Sequence, residues 1–256
     1  MRKAGGGAMM GGIMRILAIN IGNSRAAAGW YVDGEIVRAR RGTALSAAML
    51  GGGGGVLDGI GVASVVPARN AAVRKLLKTR WPGVPVRWVG PELDLGIPFD
   101  LKAPEKTGAD RYADAVAAAE LYGTPTIACD FGTATTFNLV LPKRGFCGGV
   151  IAPGYGMWFD ALGKGAAQLP RLRPGGLDVP TGRNTEEALR LGARWGYRGM
   201  VTEILWQLSK ACGKKSPYLV ATGGHAEAVL RDAGFEIDLQ PDLTLWGIAR
   251  IAERNL

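Results

Sequence analysis

Hydrophobic positions along the chain fall into short, strand-length runs set off by glycine, and two of these runs are near copies of each other. Ala18-Ile-Asn20-Ile-Gly22-Asn23-Ser24 and Ala128-Cys-Asp130-Phe-Gly132-Thr133-Ala134 each carry one polar side chain near the end of an apolar run. Each then enters a glycine turn with small hydroxyl or amide residues. After the first copy, Ala26 to Tyr31 passes through Asp33-Gly34 into Ile36 to Ala39, and Asp-Gly between apolar runs is a strong hairpin signal. After the second, Thr136 to Leu141 passes through Pro142 to Gly145 into Phe146 to Ile151. Two meanders therefore begin alike. Asn20 and Asp130 stand 110 positions apart, too far for a solenoid repeat, and this spacing predicts two related lobes.

Between the meanders the pattern alternates: a strand over 59–64, a helix over 70–80, a strand over 84–89 and an alanine-rich helix over 109–122. Such alternation predicts an α/β fold with helices covering the sheets. The second half predicts a long helix over 186–211 with Gly192, Gly196 and Gly199 along it. Each glycine there costs about 1 kcal/mol of helix propensity relative to alanine, which points to close backbone packing, as at a subunit interface. A strand over 218–222, a Gly223-Gly224 turn, a short helix over 226–232 and a closing helix over 243–254 complete the chain. The pentaglycine at 51–55 reads as a loop. Residues 1–13 read as an extension that adds nothing to the fold, because Met14-Arg-Ile-Leu looks like a natural start. The expected division is 14–125 for the N-terminal lobe and 126–256 for the C-terminal lobe, with the closing helix free to return to the first.

With 47% hydrophobic and 21% charged residues among 256, the chain is neither a disordered tail nor a coiled coil. No apolar stretch reaches the roughly 20 residues that cross a bilayer, so no membrane partner is expected. Lys and Arg outnumber Asp and Glu by 31 to 22, but the resulting +9 is dispersed. An anionic small substrate accounts for this excess as easily as nucleic acid does, and nucleic acid is not the expected partner. Three cysteines without C-x-x-C spacing argue against a disulfide framework or a zinc site. With no secretory signal, the expected compartment is the cytoplasm.

Small-residue turns after strands expose backbone N–H groups and let a polyanion approach closely. Two such turns, at Gly22 and Gly132, would clamp a nucleotide if they faced each other, and a third lies at Ala221-Thr-Gly223-Gly224; each alone could simply shape a hairpin. Neither the Walker G-x-x-x-x-G-K-[ST] nor the Rossmann G-x-G-x-x-G pattern is present. Asp130, at a strand end, could hold a cation near phosphate or accept within an Asx-turn. Asp110 stands in Thr107-Gly108-Ala109-Asp110-Arg111. There it completes a capping-box pattern with Thr107, or it offers an acid beside an anion-binding cation. Asn184-Thr185-Glu186-Glu187 reads as a helix cap. The lone His225 reads as a loop residue, and Trp195, Tyr197 and Trp206 read as a core or interface stripe.

Taken in order, these pieces resemble the type III pantothenate kinases, members of the superfamily of acetate and sugar kinases, heat-shock chaperones and actin. The resemblance spans about residues 14–255. It rests on Asn20 to Ser24, Ala63 to Pro67, Gly108 to Arg111, Asp130 to Thr136 and Gly148 to Gly154. Further matches are Asp160 to Leu162, Leu169-Pro170, Gly182 to Glu187, Ala221 to Gly224 and Pro241 to Leu245. It implies two actin-like, ribonuclease H-like lobes with a nucleotide cleft between them. The implied activity is transfer of the ATP γ-phosphoryl group to the hydroxyl of pantothenate, by a homodimer using Mg²⁺ and a monovalent cation, K⁺ or NH₄⁺.

By the same resemblance, Asp110 is the general base and Gly108, Ala109, Asp110, Arg111 and Thr185 contact pantothenate. Asn20, Gly22, Asn23, Ser24, Arg25, Thr133, Gly223 and Gly224 contact ATP, and Asp130 holds the monovalent cation. The chain departs from the family pattern where Asn20 and Asn138 replace aspartates and where Leu101 and Ala103 replace tyrosine and asparagine. Asn20 cannot supply a negative ligand to the Mg²⁺ shell, so the competing expectation is a weak or silent paralogue that binds nucleotide or regulates. A nucleic-acid-binding accessory factor rests on the net charge alone.

Overall fold

The computed structural model describes residues 13–51, 56–165, 169–175, 177–231 and 236–256. The expected extension apart from Ile13, the pentaglycine apart from Gly51, and Asp232 of the short helix lie outside the described residues.

Two five-stranded sheets carry the fold, and they share one topology. In the first, β1 (Arg15–Ile21), β2 (Ala26–Val32) and β3 (Glu35–Gly42) form an antiparallel meander, and β4 (Gly59–Ser64) and β5 (Val86–Trp88) add in parallel beside β1. In the second, β6 (Thr126–Phe131), β7 (Ala134–Leu141) and β8 (Gly145–Pro153) form the meander, and β9 (Tyr218–Thr222) and β10 (Asp238–Leu239) add in parallel beside β6. The orders are β3-β2-β1-β4-β5 and β10-β9-β6-β7-β8. The echo between Asn20 and Asp130 is thus a structural equivalence. Each is the penultimate residue of its central strand, paired on the parallel side with Ala63 and Thr222, respectively.

β1 and β6 are the middle strands, covered on both faces, which is why they read as nearly continuous apolar runs. Asp33 (φ 47°) and Gly34 (φ 97°) supply the two positive φ angles of the hairpin turn between β2 and β3. α1 (Pro67–Arg80) bridges β4 and β5 and starts three residues ahead of the sequence expectation, because Pro67 is well suited to a first helical turn. α5 (Ala226–Leu230) bridges β9 and β10.

Two helices cross between the sheets. α6 (Leu243–Arg254) buries Leu245, Ile248, Ile251 and Ala252 against β1, β2 and β4, whereas α2 (Ala109–Tyr122) lays its alanines on β6 and β7. The pair also pack on each other at backbone distance: a Cβ at Gly247 would stand 1.9 Å from the Ala113 carbonyl oxygen. Arg250 and Arg254 both reach Glu120, at 2.9 and 2.7 Å.

α3 (Tyr155–Gly165) and α4 (Thr185–Lys210) lie on the second half. Asn184 caps α4 by accepting from the Glu187 N–H (2.9 Å), and the Glu187 carboxylate accepts the Arg183 N–H in return (2.7 Å). Close packing along α4 is confined to Gly196, where a Cβ would stand 2.8 Å from the Trp158 ring; at Gly192 and Gly199 nothing lies within 4 Å. Tyr197 is core, while Trp195 and Trp206 are exposed.

Candidate active site

The three glycine turns converge. The β1–β2 turn brings Asn20, Gly22, Asn23, Ser24 and Arg25, the β6–β7 turn brings Asp130, Gly132 and Thr133, and the β9–α5 turn brings Gly223 and Gly224. All of them line one cavity of about 600 Å³, together with Asp110 from the first turn of α2. The two meander turns touch directly, the Thr133 hydroxyl donating to Ser24 Oγ at 2.9 Å. Gly22 N–H closes its own turn on the Arg25 carbonyl at 2.9 Å. Gly223 (φ +98°) sits where a Cβ would stand 2.4 Å from Asp130 Oδ1, so glycine is required by both backbone and space.

α2 begins at a Gly108 cap, with no side-chain cap hydrogen bond. Thr107 does not cap it: its hydroxyl donates to the Ala103 carbonyl (3.4 Å), and Asp110 Oδ1 accepts the Arg111 N–H (2.8 Å). The capping-box reading of Asp110 therefore gives way to a carboxylate facing the cavity. Burial raises its pKa above the ordinary 3.8, opposed by the Arg111 N–H and charge. Asp130 accepts no side-chain-directed hydrogen bond among the described residues, which removes the Asx-turn reading. Burial and then the nearby Asp110 charge push its pKa up to about 7.

Arg111 stands behind Asp110, outside the cavity wall. Its Nε donates to Asn138 Oδ1 (2.7 Å), its guanidinium lies 5.5 Å from the Phe146 ring centroid, and its buried Nη2 has no partner among the described residues. One helical turn beyond Asp110, the fully buried Asp114 accepts from Thr244 at 2.7 Å and is held well above the usual carboxylate range by burial and by Asp130. Gly108 and Ala109 flank Asp110 without lining the cavity, and Thr185, exposed at the start of α4, does not line it either. Sequence reasoning did not single out Arg41 or Glu227, and it read His225 as a loop residue; all three are on the cavity wall. Arg41 is paired with Asp242, a contact between residues 201 positions apart that no local pattern signals.

The donor set suits cations held mainly by a nucleotide. Among the described residues no group of three or more His, Cys, Asp or Glu side chains is gathered to hold a metal. Four carboxylates line the cavity, Asp110, Asp130, Asp160 and Glu227, together with the side chain of Asn20, whose Oδ1 is buried with no hydrogen-bond partner among the described residues. These are hard oxygen donors that are not gathered into one ligand cluster among the described residues, which fits an ion whose other ligands are phosphate and water.

The model of the type III pantothenate kinase family matches residues 16–207. A type III pantothenate kinase of Streptomyces avermitilis is 34% identical over 94% of this chain and 98% of its own length. One of Gluconobacter oxydans is 40% identical over 76% of this chain and 71% of its own. Among solved structures, a ROK family glucokinase from Streptomyces griseus, in complex with glucose and AMPPNP, superposes with a TM-score of 0.51. It shares 15% identity and covers 94% of this chain and 99% of that one, a likeness of fold. The paired sheets and the ordered site motifs agree with these matches, and the chain belongs to the type III pantothenate kinase family.

Proposed function

We propose that the chain is an ATP-dependent pantothenate kinase, transferring the γ-phosphoryl group of ATP to the primary hydroxyl of pantothenate to give 4′-phosphopantothenate and ADP, the first step of coenzyme A synthesis. The observation that carries this reading is the convergence of all three glycine turns, Asp110 and Asp130 on one cavity in a chain of this family. Phosphoryl transfer asks mostly for positioning and charge neutralisation, with one group to accept the hydroxyl proton.

Asp110 is that acceptor. It faces the cavity, and burial, opposed by the Arg111 N–H and charge, makes it a stronger base than a solvated carboxylate. Gly108, Ala109 and Arg111 shape the acceptor side, Arg111 being the cation nearest the base. Asn20, Gly22, Asn23, Ser24, Arg25, Thr133, Gly223 and Gly224 form the ATP side. Mg²⁺ bound with ATP neutralises phosphate charge, with Asn20 Oδ1 as a neutral oxygen toward its shell, and Asp130 holds K⁺ or NH₄⁺. The lobes divide near 125, and the enzyme works in the cytoplasm as a homodimer. Thr185 does not line the cavity of one chain, and its contact with pantothenate would come through the second copy.

Incubation of purified protein with ATP, Mg²⁺, K⁺ and pantothenate is expected to yield 4′-phosphopantothenate by mass spectrometry. A folded protein that forms none would contradict the reading. Sedimentation should give a dimer; a monomer that is fully active would remove Thr185 from the site.

A further inference from the structure

The turn after β9 brings the chain's one histidine into the cavity. The main chain of His225 is tied on both sides: its N–H donates to the Phe131 carbonyl (3.0 Å) and its carbonyl accepts the Val229 N–H (3.0 Å). Its side chain does not cap α5; the ring meets Tyr155 edge-on, with centroids 6.3 Å apart. Nδ1 is shut away from solvent and has no partner among the described residues. A proton on Nδ1 would bury an N–H with nothing to accept it, and a buried orphan donor is rarer and costlier than an under-used acceptor. The proton therefore sits on Nε2. The imidazolium, which needs an N–H on both nitrogens, is disfavoured, in keeping with a pKa lowered first by burial and then by Arg25.

His225 thus presents a neutral ring whose Nε2–H is the polar group left for whatever fills the cavity. Arg25 lies against the same turn: a Cβ at Gly224 would stand 2.8 Å from Arg25 Nη1. A guanidinium with a neutral N–H donor beside it suits an oxyanion, and because four carboxylates, Asp110, Asp130, Asp160 and Glu227, line the same cavity, an anion there needs such donors to hold it.

We infer that His225 is a nucleotide-binding residue, donating from Nε2 to a phosphate oxygen of the nucleotide beside Arg25. The inference rests on the kinase reading for the identity of the ligand.

Calorimetric binding of AMP-PNP, ADP and adenosine, without pantothenate and at neutral pH, separates the possibilities. His225→Phe keeps the ring and removes the donor, His225→Gln places an amide N–H near the position of Nε2, and His225→Asn places one near Nδ1. His225→Phe is expected to weaken AMP-PNP and ADP by about tenfold or more, the effect of one hydrogen bond to a charged group, while leaving adenosine within about twofold. His225→Gln should recover most of the loss and His225→Asn should not. If the Phe variant fails to fold, the Gln and Asn variants alone decide. Unchanged AMP-PNP binding in the Phe variant, an equal loss for adenosine, or recovery by Asn in place of Gln would each overturn the inference while leaving the kinase reading intact. A wild-type protein that binds none of the three ligands would overturn both.

Discussion

Asp110 and Asp130 illustrate how position, more than residue type, sets chemistry. Both carboxylates are raised by burial, but Asp110 has the Arg111 N–H and charge to oppose it, whereas Asp130 has only further negative charge from Asp110. Because Asp110, the proposed base, must be ionised to accept a proton, kcat/KM for pantothenate is expected to fall on acidification with a midpoint above the ordinary carboxylate value. An acid limb centred at 3.8 would contradict this. For stability the sign is opposite. A carboxylate raised from 3.8 to about 7 favours the folded state below 3.8, and that contribution fades as pH rises through 7. K⁺ should therefore raise the melting temperature more in mildly alkaline than in mildly acidic buffer; equal shifts would place the cation away from Asp130. Asn20→Asp puts a charged carboxylate where the Asn20 amide oxygen now lacks a partner, and is expected to lower the Mg²⁺ concentration for half-maximal rate by about tenfold. An unchanged Mg²⁺ requirement would show that residue 20 does not face the metal shell. Asn20 and Asp130 were legible in the sequence because the internal repeat marked both. The Arg111–Asn138 hydrogen bond and the Asp114–Thr244 pair were not, since their partners lie 27 and 130 positions apart and become neighbours only through the fold.

Elements with local signals were legible in the sequence. The Asp33-Gly34 hairpin, α2, β9 and α6 stand where turn residues and periodicity put them. α3 was not anticipated, because Pro153-Gly154 and three glycines within 155–165 argue against a helix that tertiary packing nonetheless stabilises. β10 is two residues long and has no pattern to read. Thr107 and Asp110 match a capping box in sequence, but a 3₁₀ turn over Pro104–Lys106 leads the chain into α2 through Gly108. The crossing of α2 and α6 is the element-level feature most sensitive to volume. A side chain at Gly247 meets a backbone carbonyl that cannot rotate away, so Gly247→Ala is expected to destabilise by about 1–3 kcal/mol or more, read as a drop in denaturation midpoint. Gly199→Ala, with open space around it, should be neutral or stabilising through helix propensity. Equal effects at the two positions would show that the helix crossing is not as close as described.

At the scale of the molecule, two sheets of one topology each carry a helix contributed by the other half, so that α2 and α6 tie the halves together around the cavity. The duplication was legible because it repeats a strand and turn with its polar residue. The helix exchange was not, because an amphipathic helix records that it has a buried face and not which sheet buries it. The cavity exists only where both halves meet: Asn20 and Arg25 come from one, Asp130, Gly223 and His225 from the other, and Asp110 from the helix between them. Such a site can hold one anionic donor against the three glycine turns and an alcohol against Asp110. The most direct measurement is coupled ADP release with ATP, Mg²⁺ and K⁺, with and without pantothenate, beside Asp110→Asn. Release that depends on pantothenate and falls by about 10²–10⁴-fold in the variant is expected. Release independent of pantothenate, or an Asp110→Asn enzyme as fast as wild type, would contradict a kinase whose base is Asp110.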